Sequence, residues 1–381
     1  MAWQLCQSSL RKIALKFNEI LDDITVYEAG KPIELVVRDY GLEPGDVVKL
    51  ASNENPNGAS PKAIKAITDN ASKAYLYPDD SYYELKNALC KKYGIDSREL
   101  ILGAGSDQVL EFITKAVLGK GDKVLMSKVT FAMYEIYTKL CGAKIVRTEG
   151  PYHDIVQFKD LYDAHKPKII FLCVPNNPLG ECFSKAEVYE LLDYFSSETT
   201  VIVDCAYMEY ASYKDRAKKI SPKELIAKYP NAIYLGTFSK AYGLGGMRVG
   251  YGIADENITS AMYKTRPPFN VTVLSAKAAL AALEDEEFVN MSVEMNFSEM
   301  KKYENFAKNL HIETIDSYTN FITFLLPKGS SKQIFSDLMK IGVIVRDLTS
   351  YGINGIRITI GTHAQNEKFF AKFEEVYSKI A

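Results

Sequence analysis

The sequence predicts an α/β fold: a mostly parallel central sheet with helices on both faces, joined to a smaller α+β domain. Three observations lead there. Between about residues 100 and 250, short β-branched runs alternate with stretches of helical periodicity. Those runs are near-continuously apolar, as a sheet covered on both faces requires. After about residue 270 the texture changes to one long helical stretch and then strand–helix–strand patterns. The implied division is an N-terminal arm over 1–45, a large domain over 46–270 and a small domain over 271–381, which suits a chain of 381 residues.

The elements follow in order. The opening "MAWQLCQSSLRKIALKFNEIL" has basic residues in its middle and no uninterrupted apolar core, so it reads as an amphipathic helix and not as a signal peptide. The arm holds no strong strand and is expected to wrap onto the small domain or a partner. "ELILG" (99–103) reads as a strand, and "SDQVLEFITKAVL" after it as a helix with Val109, Leu110, Phe112, Ile113 and Val117 on one face. "DKVLMS" (122–127) is a strand, followed by the helical "FAMYEIYTKL". The strands "AKIVRT" (143–148), "PKIIFLCVP" (167–175), "TTVIVDCAY" (199–207) and "NAIYLGTFS" (231–239) continue the rhythm. One helix is expected over 273–310, then the strands "NFITFLL", "VIVRDL" and "IRITIG" around the helix "SKQIFSDLMKIG", and a final amphipathic helix.

Bulk properties exclude several classes. The net charge of −2 gives no electrostatic footprint for nucleic acid or an anionic membrane. The longest apolar run, "IIFLCVP", is far too short to cross a bilayer. Six cysteines lack a C-x-x-C pair and four histidines lack ligand spacing, so no metal site is expected and a reducing cytoplasm is the expected compartment.

In open α/β sheets, ligands bind beyond the carboxyl ends of the strands. After "ELILG" comes "AGSDQ", a glycine turn into a helix N-terminus, where the backbone N–H groups of Gly105, Ser106 and Asp107 can hold a phosphate. The plainer reading is a helix capped by Ser106. The same string is a G-x-G-x-x-G broken at Gln108, which argues against a dinucleotide fold. "PNNPLG" follows the next strand considered, a turn offering an amide. Asp204 ends "TTVIV", with Tyr207 just beyond, and a carboxylate there is costly unless something positive meets it. Last, "TFSKAYGLGGMRVG" (237–250) brings Ser239, Lys240 and Arg248 together among glycines. Four strand ends thus offer a phosphate cradle, an amide, a carboxylate with a phenol, and a lysine beside an anion site. Pyridoxal 5′-phosphate needs that set: an amine for its aldehyde, an anion under its ring nitrogen, donors to its ring oxygen and a phosphate cup.

With "KLASNENPNG", "YLYPD", "TFAMY", "PNNPLG", "DCAY", "TFSKAYGLGGMRVGYG", "VIVRDL" and "IRITIGT" in this order, the chain resembles the fold-type I pyridoxal-phosphate-dependent aminotransferases from about residue 25 onward. Within them it is most similar to the histidinol-phosphate aminotransferases. The resemblance implies that Lys240 carries the covalent link to the cofactor and moves the proton. Asp204 would pair with the ring nitrogen, Asn177 and Tyr207 would bond the ring oxygen, and Phe131 would lie on the ring face. Ser239, Arg248 and the amides of 105–107 would take the phosphate, assisted by Thr237 and by Tyr77 from a second subunit of a homodimer. Arg357 would grip the acidic group of the substrate, Arg346 and Tyr27 would add a phosphate pocket, and Asn53 would border it. The implied substrates are histidinol phosphate and the glutamate/2-oxoglutarate pair. Aromatic or broad-specificity amino transfer, threonine-phosphate decarboxylation and non-catalytic cofactor binding stay open on the same scaffold. The departures are Leu179 for the usual threonine, Cys205 for glutamate, and Val129 for proline; none removes a catalytic group.

Overall fold

The computed structural model describes residues 15–26, 30–327 and 329–379. The strands are β1 (Val48–Lys49), β2 (Leu100–Gly103), β3 (Lys123–Met126), β4 (Lys144–Arg147), β5 (Ile169–Cys173), β6 (Thr200–Asp204), β7 (Ala232–Thr237), β8 (Gly250–Ala254), β9 (Glu313–Thr314), β10 (Phe321–Leu325), β11 (Val343–Ile344), β12 (Arg346–Asp347) and β13 (Gly355–Thr359). Seven of them form the large sheet in the order β2-β8-β7-β6-β5-β3-β4. The pairs from β7 to β4 are parallel, while β8 runs antiparallel to both of its neighbours.

The apolar strand sequences explain the two-sided cover. Alternate residues point to opposite faces, so Leu102, Leu125, Ile170, Leu172, Val201 and Val203 enter one core. Their neighbours Ile101, Val124, Ile169, Phe171 and Ile202 enter the other. The helix Ser106–Val117 covers that second face with Val109, Leu110, Phe112 and Ile113, as the helical periodicity implied; Val117 packs at its margin.

The helix expected over 273–310 is two helices, Val273–Leu283 and Glu286–Asn309. The reason is that two cores compete for it. Val273–Leu283 lies on the helix Pro61–Asn70 and sends Ala278, Ala279 and Ala282 into the large core. Further along, Met300, Tyr303 and Ala307 serve the small core. Lys62 marks the break, donating to the carbonyl of Glu284 at 2.7 Å with Asp285 at 3.7 Å.

The small domain is a four-stranded antiparallel sheet in the order β12-β13-β10-β9. Beside it β1 pairs in parallel with β11, so Val48 and Leu50 pack into the small core although they lie early in the sequence. The described part of the arm divides. Val36, on the helix Ile33–Tyr40, packs with Met339 and Ile344 of the small domain. The 3-10 turn Glu19–Asp23 meets the helix Ala132–Leu140, where Lys139 donates to the Asp23 carbonyl at 2.8 Å. The amphipathic helix expected from residue 1 lies largely outside the described residues.

Candidate active site

Sheet register gathers the groups. Gly103 and Thr237 both pair with Gly250, and Cys173 and Leu235 both pair with Asp204. The carboxyl ends of β2, β5, β6 and β7 therefore lie along one edge. Because β8 is reversed, it begins at that same edge. The pocket there is lined by Gly105, Ser106, Asp107, Phe131, Cys173, Asn177, Asp204, Ala206, Tyr207, Thr237, Ser239, Lys240 and Arg248. Every residue expected to hold the cofactor is in that set except Tyr77.

The anion cup is made of backbone. Ser106 is the first residue of its helix, not its cap: Gly105 caps it at φ 84° and no capping side chain bonds the first N–H groups. The N–H groups at the positive end of the helix thus stay available to an anion. A Cβ on Gly250 would come within 2.1 Å of the Ser106 nitrogen, and one on Gly105 within 2.6 Å of Arg248 Nη2. Only glycine permits this approach. Arg248 stands at the rim with a left-handed backbone, donating from Nη1 to Ser239 Oγ (3.3 Å) and to the Gly245 carbonyl (3.1 Å). Thr237 Oγ1 accepts from the Ser239 N–H at 3.1 Å, which fixes the hydroxyl of Ser239 beside the cup. Asp107 accepts from Tyr137 OH through Oδ2 at 3.0 Å, while its buried Oδ1 has no partner among the described residues. Burial pushes this carboxyl upward, against the Tyr137 hydrogen bond and the Arg248 charge.

Opposite the cup, Asp204 is buried, accepting from Tyr134 OH at 2.7 Å and from the Ala206 N–H at 3.1 Å. Burial raises its carboxyl; Tyr134, the Ala206 amide and Lys240 pull the other way. Tyr134 is stacked on Phe171 with centroids 4.4 Å apart and meets Phe131 edge-on at 5.6 Å. Lys240 looks into the pocket with Nζ 3.5 Å from the Ser52 carbonyl and 5.6 Å from the centre of the Tyr207 ring. Burial, then the cations Arg357 and Arg248, push its ammonium down to about 8, against Glu54 and Asp204. A neutral amine is therefore accessible near neutral pH.

Tyr207 is buried against Phe321, and Asn53 donates to its hydroxyl oxygen at 2.8 Å, leaving the phenolic proton free to turn into the pocket. Asn53 is held by Thr359 on β13, through its own N–H and its Oδ1, each at 3.0 Å. The small domain supplies Arg357, which donates to Asn177 Oδ1 at 2.5 Å and to the Ala51 carbonyl at 2.6 Å, over the Phe321 ring. Arg346 is its direct cross-strand partner, so both guanidinium groups belong to one face of the sheet. Two like charges so paired favour an anion between them.

Two expected residues fall elsewhere. Tyr77 is 81% exposed and lies against Phe269, away from the pocket of its own chain. Tyr27 lies outside the described residues. Sequence reasoning missed Tyr134, Ser52 and Cys173. Tyr134 had one signal, a place one helical turn after Phe131; the other two had none.

Chemically the pocket offers an anion cup, a buried carboxylate, a phenol and a low-pKa amine, with Arg357 bonded to Asn177 at its edge and Arg346 beside it on the small sheet. Their spacing suits a phosphorylated aromatic aldehyde with a ring nitrogen, together with an acidic substrate.

The family described as aminotransferase class I and II matches residues 45–373. A histidinol-phosphate aminotransferase of Sulfurimonas denitrificans is 56% identical over 357 residues, covering 93% of this chain and 98% of its own. That of Aliarcobacter butzleri is 56% identical over 367 residues, 96% of this chain and 100% of its own. Among solved structures, a histidinol-phosphate aminotransferase from Sinorhizobium meliloti in complex with pyridoxal-5′-phosphate superposes with a TM-score of 0.88 at 24% identity, over 97% of this chain and 100% of its own. At that identity the superposition shows the fold. An L-threonine-O-3-phosphate decarboxylase from Porphyromonas gingivalis, with a TM-score of 0.77 and 22% identity over 87% of this chain and 100% of its own, shares the fold as well. No helix among the described residues is long and apolar enough to cross a membrane.

Proposed function

The chain belongs to the class I and II aminotransferases, among the histidinol-phosphate aminotransferases, and on that premise we propose how its residues carry out the reaction. The reaction interconverts L-histidinol phosphate and 2-oxoglutarate with imidazole-acetol phosphate and L-glutamate, a step of histidine biosynthesis. The observation that carries the reading is Lys240 in a pocket lined by both Asp204 and the helix N-terminus at Gly105–Asp107.

Pyridoxal 5′-phosphate, when bound, supplies an electron sink for the bonds at the substrate Cα. The chain's residues do the rest. Lys240 would hold the cofactor's aldehyde carbon and move the proton at the substrate Cα; its amine, pushed down to about 8, is matched to that task. Asp204, its own position fixed by Tyr134, would hold the ring nitrogen and keep a proton there. Tyr207 and Asn177 would donate to the ring oxygen, and Phe131 would cover the ring. Ser239, Thr237, Arg248 and the amides of Gly105, Ser106 and Asp107 would receive the phosphate. Arg357 orients the substrate carboxylate, and Arg346 with Tyr27 receives the substrate phosphate, with Asn53 at the border. Such fixed positioning is worth more than any single contact.

Tyr77 belongs to a homodimer in this reading. It is exposed beside Tyr75, Leu76 and Phe269, an apolar patch suited to burial by a second copy, from which its hydroxyl reaches the phosphate of the neighbouring site. In domain terms, the large unit extends through the helix Val273–Leu283 and the small unit takes in β1. The five described cysteines are free thiols, which supports a cytoplasmic setting.

The test is a comparison of amino donors. The purified enzyme loaded with cofactor is mixed with glutamate, histidinol phosphate, phenylalanine, tyrosine or threonine phosphate, and the cofactor absorbance is followed. Glutamate and histidinol phosphate are expected to react fastest. Faster reaction with the aromatic acids, or carbon dioxide released from threonine phosphate, reassigns the substrate.

A further inference from the structure

Gln108 breaks the dinucleotide pattern of its turn and takes no part in the chemistry above. It is the third residue of the helix Ser106–Val117, and its side chain turns back so that Oε1 accepts from the Ala104 N–H at 2.8 Å. The turn is thus closed from behind, ahead of the helix, which leaves the N–H groups of Ser106 and Asp107 to an anion. The same Oε1 accepts from Nδ2 of Asn270 at 2.8 Å.

From Asn270 the line continues outward. Its Oδ1 accepts from Nη1 of Arg266 at 2.8 Å, and Arg266 grips Asp80 with both terminal nitrogens, at 2.9 and 2.6 Å. Asp80 Oδ1 also accepts from the Phe269 N–H at 2.7 Å, and the Phe269 ring lies 4.8 Å from that of Tyr77. An unbroken series of contacts therefore joins the phosphate cup to the tyrosine that the homodimer reading sends to a neighbouring phosphate.

The series is built for position. A planar, two-bonded arginine–carboxylate pair fixes an angle as well as a distance. The Arg266 side chain is only 9% exposed, with its guanidinium over the rings of Tyr263 and Tyr82 at 5.4 and 6.0 Å. Tyr82 OH accepts from the Val271 N–H at 2.9 Å and donates to the Val271 carbonyl at 3.1 Å. Phe269 and Tyr82 both have left-handed backbones, φ 58° and 50°. Such a backbone is costly for a residue with a Cβ and persists where its surroundings over-determine it, most often beside a ligand. The bond from Arg266 holds the Asp80 carboxyl below its ordinary range, against burial, so the pair stays ionised at neutral pH.

We propose that Gln108, Asn270 and the Asp80–Arg266 pair are positioning residues for the cofactor phosphate, holding the cup of their own subunit and the Tyr77 arm that serves its neighbour in one arrangement. The inference rests on the cofactor and homodimer reading above. The four side chains act through the Ala104 amide and the Phe269 ring.

The test compares pyridoxal 5′-phosphate with pyridoxal, which has the same ring and aldehyde and no phosphate. Each is titrated into the cofactor-free full chain and followed by absorbance. The wild type is expected to prefer the phosphorylated form strongly. Gln108→Leu and Asp80→Ala are each expected to weaken that form about tenfold, the worth of one hydrogen bond, and pyridoxal by less than about twofold. A purely structural loosening would weaken both aldehydes alike, and that result overturns the proposal. On a Tyr77→Phe background, which lacks the hydroxyl to be positioned, Asp80→Ala should add no more than about twofold. An undiminished loss there overturns the link to the arm. Should Asp80→Ala fail to fold because it strands a buried cation, Asp80→Ala with Arg266→Met removes both charges and is read the same way. A wild type that binds both aldehydes alike overturns the cup itself; a phosphate preference that survives both substitutions overturns this inference alone.

Discussion

The two sides of the site are assembled by different means. The wall from the large sheet takes its groups from strand ends: Asp204 terminates β6, and Lys240 comes three residues after β7 ends at Thr237. The small sheet beside it brings Arg346 and Arg357 together from two strands that meet only through antiparallel register. On the proposed reading, rigid, sequence-local geometry serves the chemistry common to all substrates, and tertiary register serves the part that distinguishes one acid from another. If this division is right, damage to the first side lowers rate and damage to the second lowers affinity.

The largest expected effect tests the first half. Lys240→Ala should slow the glutamate half-reaction by about 10³-fold or more, in stopped-flow absorbance, while retaining measurable cofactor binding. Near wild-type rates would break the comparison outright. Arg357→Ala comes next, with glutamate affinity falling about 30- to 100-fold in an absorbance titration and a much smaller change in the limiting rate. Arg346→Ala sharpens the point on the second side, since KM should rise for histidinol phosphate and stay close to normal for glutamate. Tyr134→Phe removes one bond to a buried carboxylate, about 1.5–3 kcal/mol, and should lower the limiting rate about tenfold without moving KM.

The smallest effect concerns stability. The Lys240 ammonium is held below its usual range, to about 8, so folding costs a proton between the ordinary lysine value and that point. The stabilising share is present above the ordinary value and is lost as pH falls through about 8. Lys240→Met should therefore raise the melting temperature of the cofactor-free protein by roughly 2–4 °C at pH 7, with the gain shrinking toward pH 10. A gain that does not depend on pH would mean that the lysine is not strained by burial.

The same contrast explains what was legible in the sequence. The strands of the large sheet were, because a strand buried on both faces has to be apolar almost throughout. So were Asp204, Ser239 and Lys240, which sit one to three residues beyond such runs. The break at Glu284–Asp285 was not, since both halves have helical periodicity and only the competing cores separate them. The pairing of β1 with β11 escaped too: two residues carry no pattern, and their partner lies about three hundred positions away. Nothing local could reveal that Tyr134 would reach Asp204, or that Asn177 would accept from Arg357. Ser106 looked like a cap, but Gly105 in its place leaves the helix end open.

The reversal of β8 has one more outcome. Because the chain leaves the sheet at Thr237 and re-enters it at Gly250 on the same side, the segment between never crosses the molecule. Its two cations are each tethered by only a few bonds to a different strand, and a Cβ added at Gly246, in the middle of the span, would meet nothing within 4 Å. Extra residues spliced in at Gly246 would lengthen a bight of rope whose ends are already made fast. The mouth of the pocket can thus be remodelled, by evolution or by design, while the amine and the guanidinium keep their moorings.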